Sequence, residues 1–236
     1  MRIDILTLFP EMFQGPMSES LLKKAQKKGL LSLKVVNIRD YASDKHKTVD
    51  DTPYGGGPGM VMKPDVLAKA ISSAGGRVVL MCPTGRRLTH EKVEDLSGYE
   101  HLTIVCGHYE GVDERVRKMV DEEISVGDYV LTGGEIPAMV LVDAVARQVP
   151  GVIKEDESVR RDSFYNGLLD YPSYTKPDEH NGEKVPEVLL SGDHKKISSW
   201  RRERSLKKTL RLYPGLLARV NLTEEDKKSL AGFFLD

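Results

Sequence analysis

Over the first 150 residues, short apolar runs alternate with amphipathic ones. "RIDILTLF" (2–9), "LSLKVVNI" (31–38), "RVVLMC" (77–82), "HLTIVC" (101–106) and "EEISVG" (122–127) have the length and aliphatic content of strands. Between them lie helix-period segments. "SESLLKKAQKKG" (18–29) has Ser18 as its candidate N-cap and Gly29 just past its end. "KPDVLAKAISSAGG" (63–76) carries Pro64 in its first turn, and "THEKVEDLSG" (89–98) opens at Thr89. "GVDERVRKMV" (111–120) reads as a short helix, and "GGEIPAMVLVDAVARQV" (133–149) as a long apolar one. Such alternation predicts an α/β fold with a mainly parallel sheet.

From Pro150 the periodicity stops. Residues 151–186 are rich in Gly, Pro, Asp and Tyr, and helical patterning returns in "HKKISSWRRERSLKKTLRLY" (194–213) and "TEEDKKSLAGFFL" (223–235), the latter behind the candidate cap Thr223. The expected organisation is an α/β domain over 1–153, a linker over 154–168 and a small all-helical domain over 169–236.

Composition is that of a soluble globular protein, 39% hydrophobic and 30% charged over 236 residues. No run approaches the ~18 apolar residues of a membrane span. The N-terminal apolar stretch is broken by Asp4 and reads as a first strand rather than a signal peptide. Cys82 and Cys106 each end an apolar run, as buried thiols of a reduced, cytoplasmic protein would. Neither His-Glu-x-x-His nor Cys-x-x-Cys occurs, so no residue is assigned as a metal ligand. The net charge is −1, yet residues 195–211 hold eight Lys/Arg against one Glu, a local +7 that leaves −8 elsewhere. That asymmetry points to a phosphate backbone as partner.

Three strand ends run into polar, glycine-bearing loops: "MCPTG" (81–85), "VCGHYEG" (105–111) and "SVGDYVLTGGE" (125–135). Ligands of parallel α/β sheets bind outside the carboxyl ends of the strands, so the three loops together suit a nucleoside-sized ligand. Neither Gly-x-Gly-x-x-Gly after a strand nor Gly-x-x-x-x-Gly-Lys-Ser/Thr is present. A dinucleotide or nucleoside triphosphate is therefore disfavoured. A fourth glycine cluster, "YGGGPGM" (54–60), follows a Thr-Pro turn rather than a strand.

"YGGGPGM" (54–60), "GHYEGVDERV" (107–116), "VGDYVLTGGEIPAM" (126–139), "DSFYNGLLDYPSYTKP" (162–177) and "VPEVLLSGDHKKISSWR" (185–201), in this order, closely resemble the bacterial tRNA (guanine-N1)-methyltransferases. These act at position 37, just 3′ of the anticodon. The resemblance spans essentially the whole chain. It implies the trefoil-knotted (SPOUT) methyltransferase class, with a deep knot in the C-terminal part of the sheet domain, a breach of the usual no-knot rule. It further implies S-adenosyl-L-methionine bound bent among the knot loops. Those loops bring Met81, Cys82, Pro83, Thr84 and Gly85; Gly107, Tyr109, Glu110 and Gly111; and Val126, Gly127, Asp128, Tyr129, Val130, Leu131, Gly133 and Gly134, with Pro137 beyond. Glu110 suits the methionine ammonium group or a Mg²⁺ ion and, as a lone carboxylate, equally a solvated loop position. A homodimer with shared active sites is implied too; helix 136–149 fits a dimer contact and equally a buried monomer helix.

Guanine N1 is protonated at neutral pH and a poor nucleophile, so the chemistry needs a base for that proton and a donor for the charge developing on O6. By the resemblance, Asp162 is the base, Arg147 the O6 donor and Asp170 a second acid; caps and turns are their structural alternatives. A base must leave its stack to be modified, and Gly55, Gly57 and Gly59 would offer smooth backbone for its pocket, with Ser163 nearby. Lys195, Lys196, Arg201, Arg202, Arg204, Lys207 and Lys208 would hold the anticodon arm. Trp200 reads as core of the small domain in preference to a stacking platform. The sequence departs from the family pattern at His108, where many members have Arg, and at Ser173 and Lys176. Two rival readings are a ribose 2′-O-methyltransferase of the same class, which has no use for the two carboxylates, and a catalytically silent RNA-binding protein, which has none for the glycine loops.

Overall fold

A computed structural model describes residues 1–153 and 162–233. It divides into two compact units, Met1–Lys154 and Glu155–Asp236. Residues 154–161, the first half of the expected linker, lie outside the described residues, as does the end of the last helical segment.

The first unit is built on five parallel strands in the order β2-β1-β6-β5-β7: β1 (Arg2–Thr7), β2 (Ser32–Asn37), β5 (Arg77–Arg87), β6 (His101–Cys106) and β7 (Glu122–Ser125). In β1, β5 and β6 both faces are apolar, which is why they read as near-continuous runs. Ile3, Ile5, Val79, Met81, Leu102 and Ile104 point into one core, and Leu6, Val78, Leu80 and Val105 into the other. α1 (Ser20–Lys27), α3 (His90–Ser97) and α4 (Glu135–Gln148) cover the first face; α2 (Pro64–Ala74) covers the second. α4 buries Ala138, Leu141, Val142, Val145 and Ala146 completely, so most of its apolar surface is internal to the unit.

Local differences from the sequence reading have identifiable causes. α1 begins at Ser20 with Glu19 at its N-cap, whereas Ser18 closes a 3-10 turn and donates back to the Gly15 carbonyl at 3.2 Å. The segment after Asp113 is a 3-10 helix, Glu114–Met119, with the Asp113 carboxylate accepting from the Arg115 amide. β5 does not stop at Cys82. It bulges between Met81 and Arg86, both of which pair with Ile124, and then resumes. Pro83 cannot donate to a ladder, and Gly85 sits where an added Cβ would lie 2.5 Å from the Glu123 carbonyl carbon. Two-residue strands β3 (Asp50–Asp51) and β4 (Val61–Met62) pair antiparallel and hold the base of the glycine-rich loop.

In the second unit, the helix His194–Leu212 packs Leu206 with Leu168 and Leu230 in a small core. Helices Glu187–Leu190, Pro214–Leu217 and Glu224–Gly232 complete it, with an antiparallel pair of strands, β8 (Glu179–His180) and β9 (Glu183–Lys184). Leu168 is 7% exposed, so residues 162–168, which the sequence pattern assigns to the linker, pack as part of this unit. Thr223 caps the last helix in a capping box with Asp226. Trp200 is absent from the core and stands half-buried on the outer side of the long helix, contrary to its reading as a core residue.

Candidate active site

The carboxyl ends of β5, β6 and β7 meet around a cavity of about 270 Å³, near the small end of ligand pockets. Met81, Cys82, Pro83 and Thr84 of the β5 bulge line it, as do Gly107, Tyr109, Glu110 and Gly111 after β6. The third wall is Val126, Tyr129, Val130, Leu131, Gly133, Gly134 and Pro137. Gly85, Gly127 and Asp128 are not in the lining. Gly85 packs against the β7 backbone, and Asp128 pairs with Arg87 outside the cavity. Leu80, His108, Val112, Arg117, Ile124, Ser125 and Thr132 also line it.

The walls are locked by close backbone approach. The Gly134 amide donates to the Gly107 carbonyl at 2.7 Å, and a Cβ on Gly134 would lie 2.8 Å from Cys106 Cα and from the Gly107 nitrogen. Behind them sits a buried polar group that sequence reasoning passed over. Glu135, 2% exposed, accepts from the Thr7 hydroxyl at 2.8 Å and faces His108 Nδ1 at 3.5 Å. The His108 ring packs against Phe9, centroids 4.7 Å apart. Burial, with the nearby Glu135 carboxylate adding to it, pushes the Cys106 thiol well above its ordinary pKa. In sequence Glu135 looks like any first-turn helix acid; only the packing of α4 on β6 shows its role.

The glycine-rich loop is tied to this region from one side. The Glu110 amide donates to the Met60 carbonyl at 3.0 Å, and the Met62 amide to the Gly111 carbonyl at 3.0 Å. Gly55, Gly57 and Gly59 have φ of +88°, +118° and +83°, which L side chains rarely adopt. They do not line the cavity, although Gly59 abuts the Glu110 side chain. Arg147 stands half-buried in the last turn of α4.

The second unit has its own concavity of about 410 Å³, where Asp162 and Asp170 come together with Tyr171, His194, Arg201 and Arg202. The Asp170 amide donates to Ser163 Oγ at 2.9 Å. Asp170 Oδ1 is buried with no hydrogen-bond partner among the described residues. The basic helix sorts into engaged and outward cations. Arg202 makes a two-point pair with the buried Asp226 at 2.9 and 3.1 Å, holding that carboxylate below its usual range. Arg201 lies over Tyr171, Lys207 over Phe233, and Lys208 donates to the Asp170 carbonyl. Lys195 and Lys196 are exposed, Lys196 beside Asp193 at 3.5 Å.

The first unit is thus of the α/β class, with a glycine-closed cavity at the carboxyl edge of its parallel strands, and the second carries a basic helix. A family model described as tRNA (Guanine-1)-methyltransferase TrmD matches residues 1–219. The chain is 59% identical to a protein of Desulforamulus reducens and 58% identical to one of Pelotomaculum thermopropionicum. These alignments cover 98% of this chain and 94% and 95% of the relatives. A Dictyoglomus turgidum protein is 55% identical over 98% of this chain. All three relatives are named tRNA (guanine-N(1)-)-methyltransferase. This chain belongs to that family.

Proposed function

We propose that this chain transfers a methyl group from S-adenosyl-L-methionine to N1 of the guanosine at position 37 of tRNA, just 3′ of the anticodon. The observation carrying this reading is the family match over residues 1–219, which spans both the cavity and the carboxylate pair. S-adenosyl-L-methionine, when bound, supplies an electrophilic methyl group. The cavity residues fit it: Leu80, Met81, Val126, Leu131 and Pro137 offer apolar contact for a purine face, and Gly107, Gly133 and Gly134 let backbone approach closely. Glu110, exposed at the rim, complements an ammonium group. It is a single carboxylate, and among the described residues no group of three or more His, Cys, Asp or Glu is suited to a metal, so Mg²⁺ is assigned no protein ligand.

For the guanine, Asp162 takes the N1 proton and Arg147 donates to O6 as negative charge gathers there. Asp170, beside Asp162, is the second acid. A trefoil knot in the C-terminal part of the first unit belongs to this reading. So does a homodimer sharing its active sites, supported by Ile136 and Val140, 48% and 47% exposed on one face of α4. The first unit then serves as the cofactor-binding catalytic domain and the second as the tRNA-binding domain of a cytoplasmic enzyme. No helix among the described residues is long and apolar enough to cross a membrane. Ribose 2′-O-methylation is not favoured, since it leaves both carboxylates without a task.

Methyl transfer from labelled S-adenosyl-L-methionine to an unmodified tRNA transcript, with the product located by mass spectrometry, tests the reading. N1-methylguanosine beside the anticodon is expected, with Asp162→Ala slower by roughly 10²–10⁴-fold and still binding the cofactor. A 2′-O-methyl product, or full activity without Asp162, overturns it.

A further inference from the structure

Trp200 is the only tryptophan of the chain, yet it takes no part in the core of its unit. At about 100° per residue, it stands half a turn around the helix from Thr209, which is fully buried. Around it lie Val188, Lys195, Lys196, Ser199 and Glu203, lining a concavity of about 410 Å³. The Arg204 guanidinium sits 5.5 Å from the indole centroid. Tyr174, 50% exposed, is 6.4 Å away with its ring tilted by 55°. A solvated basic face does not need two large aromatic rings on its outer side. An apolar core does not line them with lysines.

We infer that Trp200, Tyr174 and Arg204 form a stacking site for one unpaired nucleobase of the RNA substrate, with Lys195 and Lys196 on the adjoining phosphates. Aromatic rings and guanidinium planes are the usual partners of splayed bases in RNA, and every base has a π-face to offer. This rests on the proposed tRNA substrate and adds a contact apart from the Asp162 and Asp170 concavity, which is lined by the opposite side of the same helix.

The single indole makes the test direct. Wild-type protein is titrated with an unmodified anticodon stem-loop and with a blunt RNA duplex of equal length, following tryptophan emission. The stem-loop is expected to quench emission and the duplex to leave it unchanged. Trp200→Leu and Arg204→Ala are expected to weaken stem-loop binding, the former roughly tenfold, with S-adenosyl-L-methionine affinity retained. Unchanged emission at saturation, equal quenching by the duplex, or a Trp200→Leu Kd within twofold of wild type overturns the inference. Methyl transfer by the wild-type enzyme separates the two readings. If transfer is intact without quenching, the stacking site falls and the reaction stands; if quenching occurs without transfer, the reverse holds.

Discussion

Gly134→Ala probes how tightly the cavity walls are locked. The backbone at Gly134 has φ of −79°, a value any residue adopts, so the cost is steric alone. The new methyl would lie 2.8 Å from Cys106 Cα and the Gly107 nitrogen, and 3.1 Å from the Cys106 carbonyl carbon. These are backbone atoms at the end of β6, which is paired with β1 on one side and β5 on the other. No side chain can swing aside, so one wall must retreat by about 0.6 Å to reach ordinary contact, and the 2.7 Å bond from Gly134 to Gly107 weakens with it. Overpacking costs about 1–3 kcal/mol and a weakened hydrogen bond about 1 kcal/mol more. Together, about 2–4 kcal/mol in a chain of this length corresponds to a melting midpoint lower by about 4–16 °C. Thermal unfolding and calorimetric titration with S-adenosyl-L-methionine would measure both stability and cofactor affinity, and affinity is expected to fall as well. Gly15→Ala is the control: its φ is −73° and an added Cβ there meets nothing within 4 Å. A Gly134→Ala protein melting within a degree of wild type and binding the cofactor equally well would refute the argument.

Thiol alkylation is expected to discriminate the two cysteines. Cys106, fully buried and held as a thiol, should resist iodoacetamide in the folded protein. Cys82, part of the cavity lining, should react and be protected by saturating S-adenosyl-L-methionine, read by mass spectrometry of the two peptides. The Arg202–Asp226 pair should give a pH-dependent contribution. Arg202 lowers the folded-state pKa of Asp226, so the stabilisation is present above the ordinary aspartate range near 3.9 and is lost as pH falls through the lower folded value. Arg202→Leu is expected to cost about 1–2 kcal/mol at neutral pH, discounted because Arg202 is 39% exposed, and much less near pH 2. An equal loss at both pH values would show that packing, not charge, holds this residue.

The sheet was legible because β1, β6 and the first half of β5 are buried on both faces, so their runs are mostly apolar, interrupted only by buried Asp4 and Thr103, and are flanked by clear helical periods. Elements of two residues, β3, β4, β8 and β9, carry no period to read. The bulge in β5 was legible as a loop but not as an excursion inside a strand, because the pairing of Arg86 with Ile124 is set by a partner 38 residues away in sequence. Within the cavity, glycine spacing picked out all three walls. Glu135 and Thr7 went unseen because each is an unremarkable residue until distant segments bring them together, and His108 stood out only as a departure from the family pattern, not as the neighbour of Glu135. In the basic helix, charge counting treated eight cations alike, although Arg202 is committed to Asp226 and Arg201 to Tyr171. Composition reports how many charges there are, and only packing reports which of them face outward.

The hydrogen bond from Thr7 to Glu135 closes a span of 128 residues, and the history of the chain during synthesis follows from that span. A nascent chain that has emerged only as far as Val120 holds four of the five sheet strands, but neither β7 nor α4. Its β6 face, with Leu102, Ile104 and Cys106, still lacks the α4 residues that cover it. At typical elongation rates of about 5–20 residues per second, that apolar surface waits about 1–6 seconds before Gln148, the end of its cover, arrives. In such a chain one wall of the cavity has not yet been made, because Val126 to Pro137 follow β7. On the function proposed above, cofactor affinity is therefore expected late and all at once, as the stamp of a completed first unit.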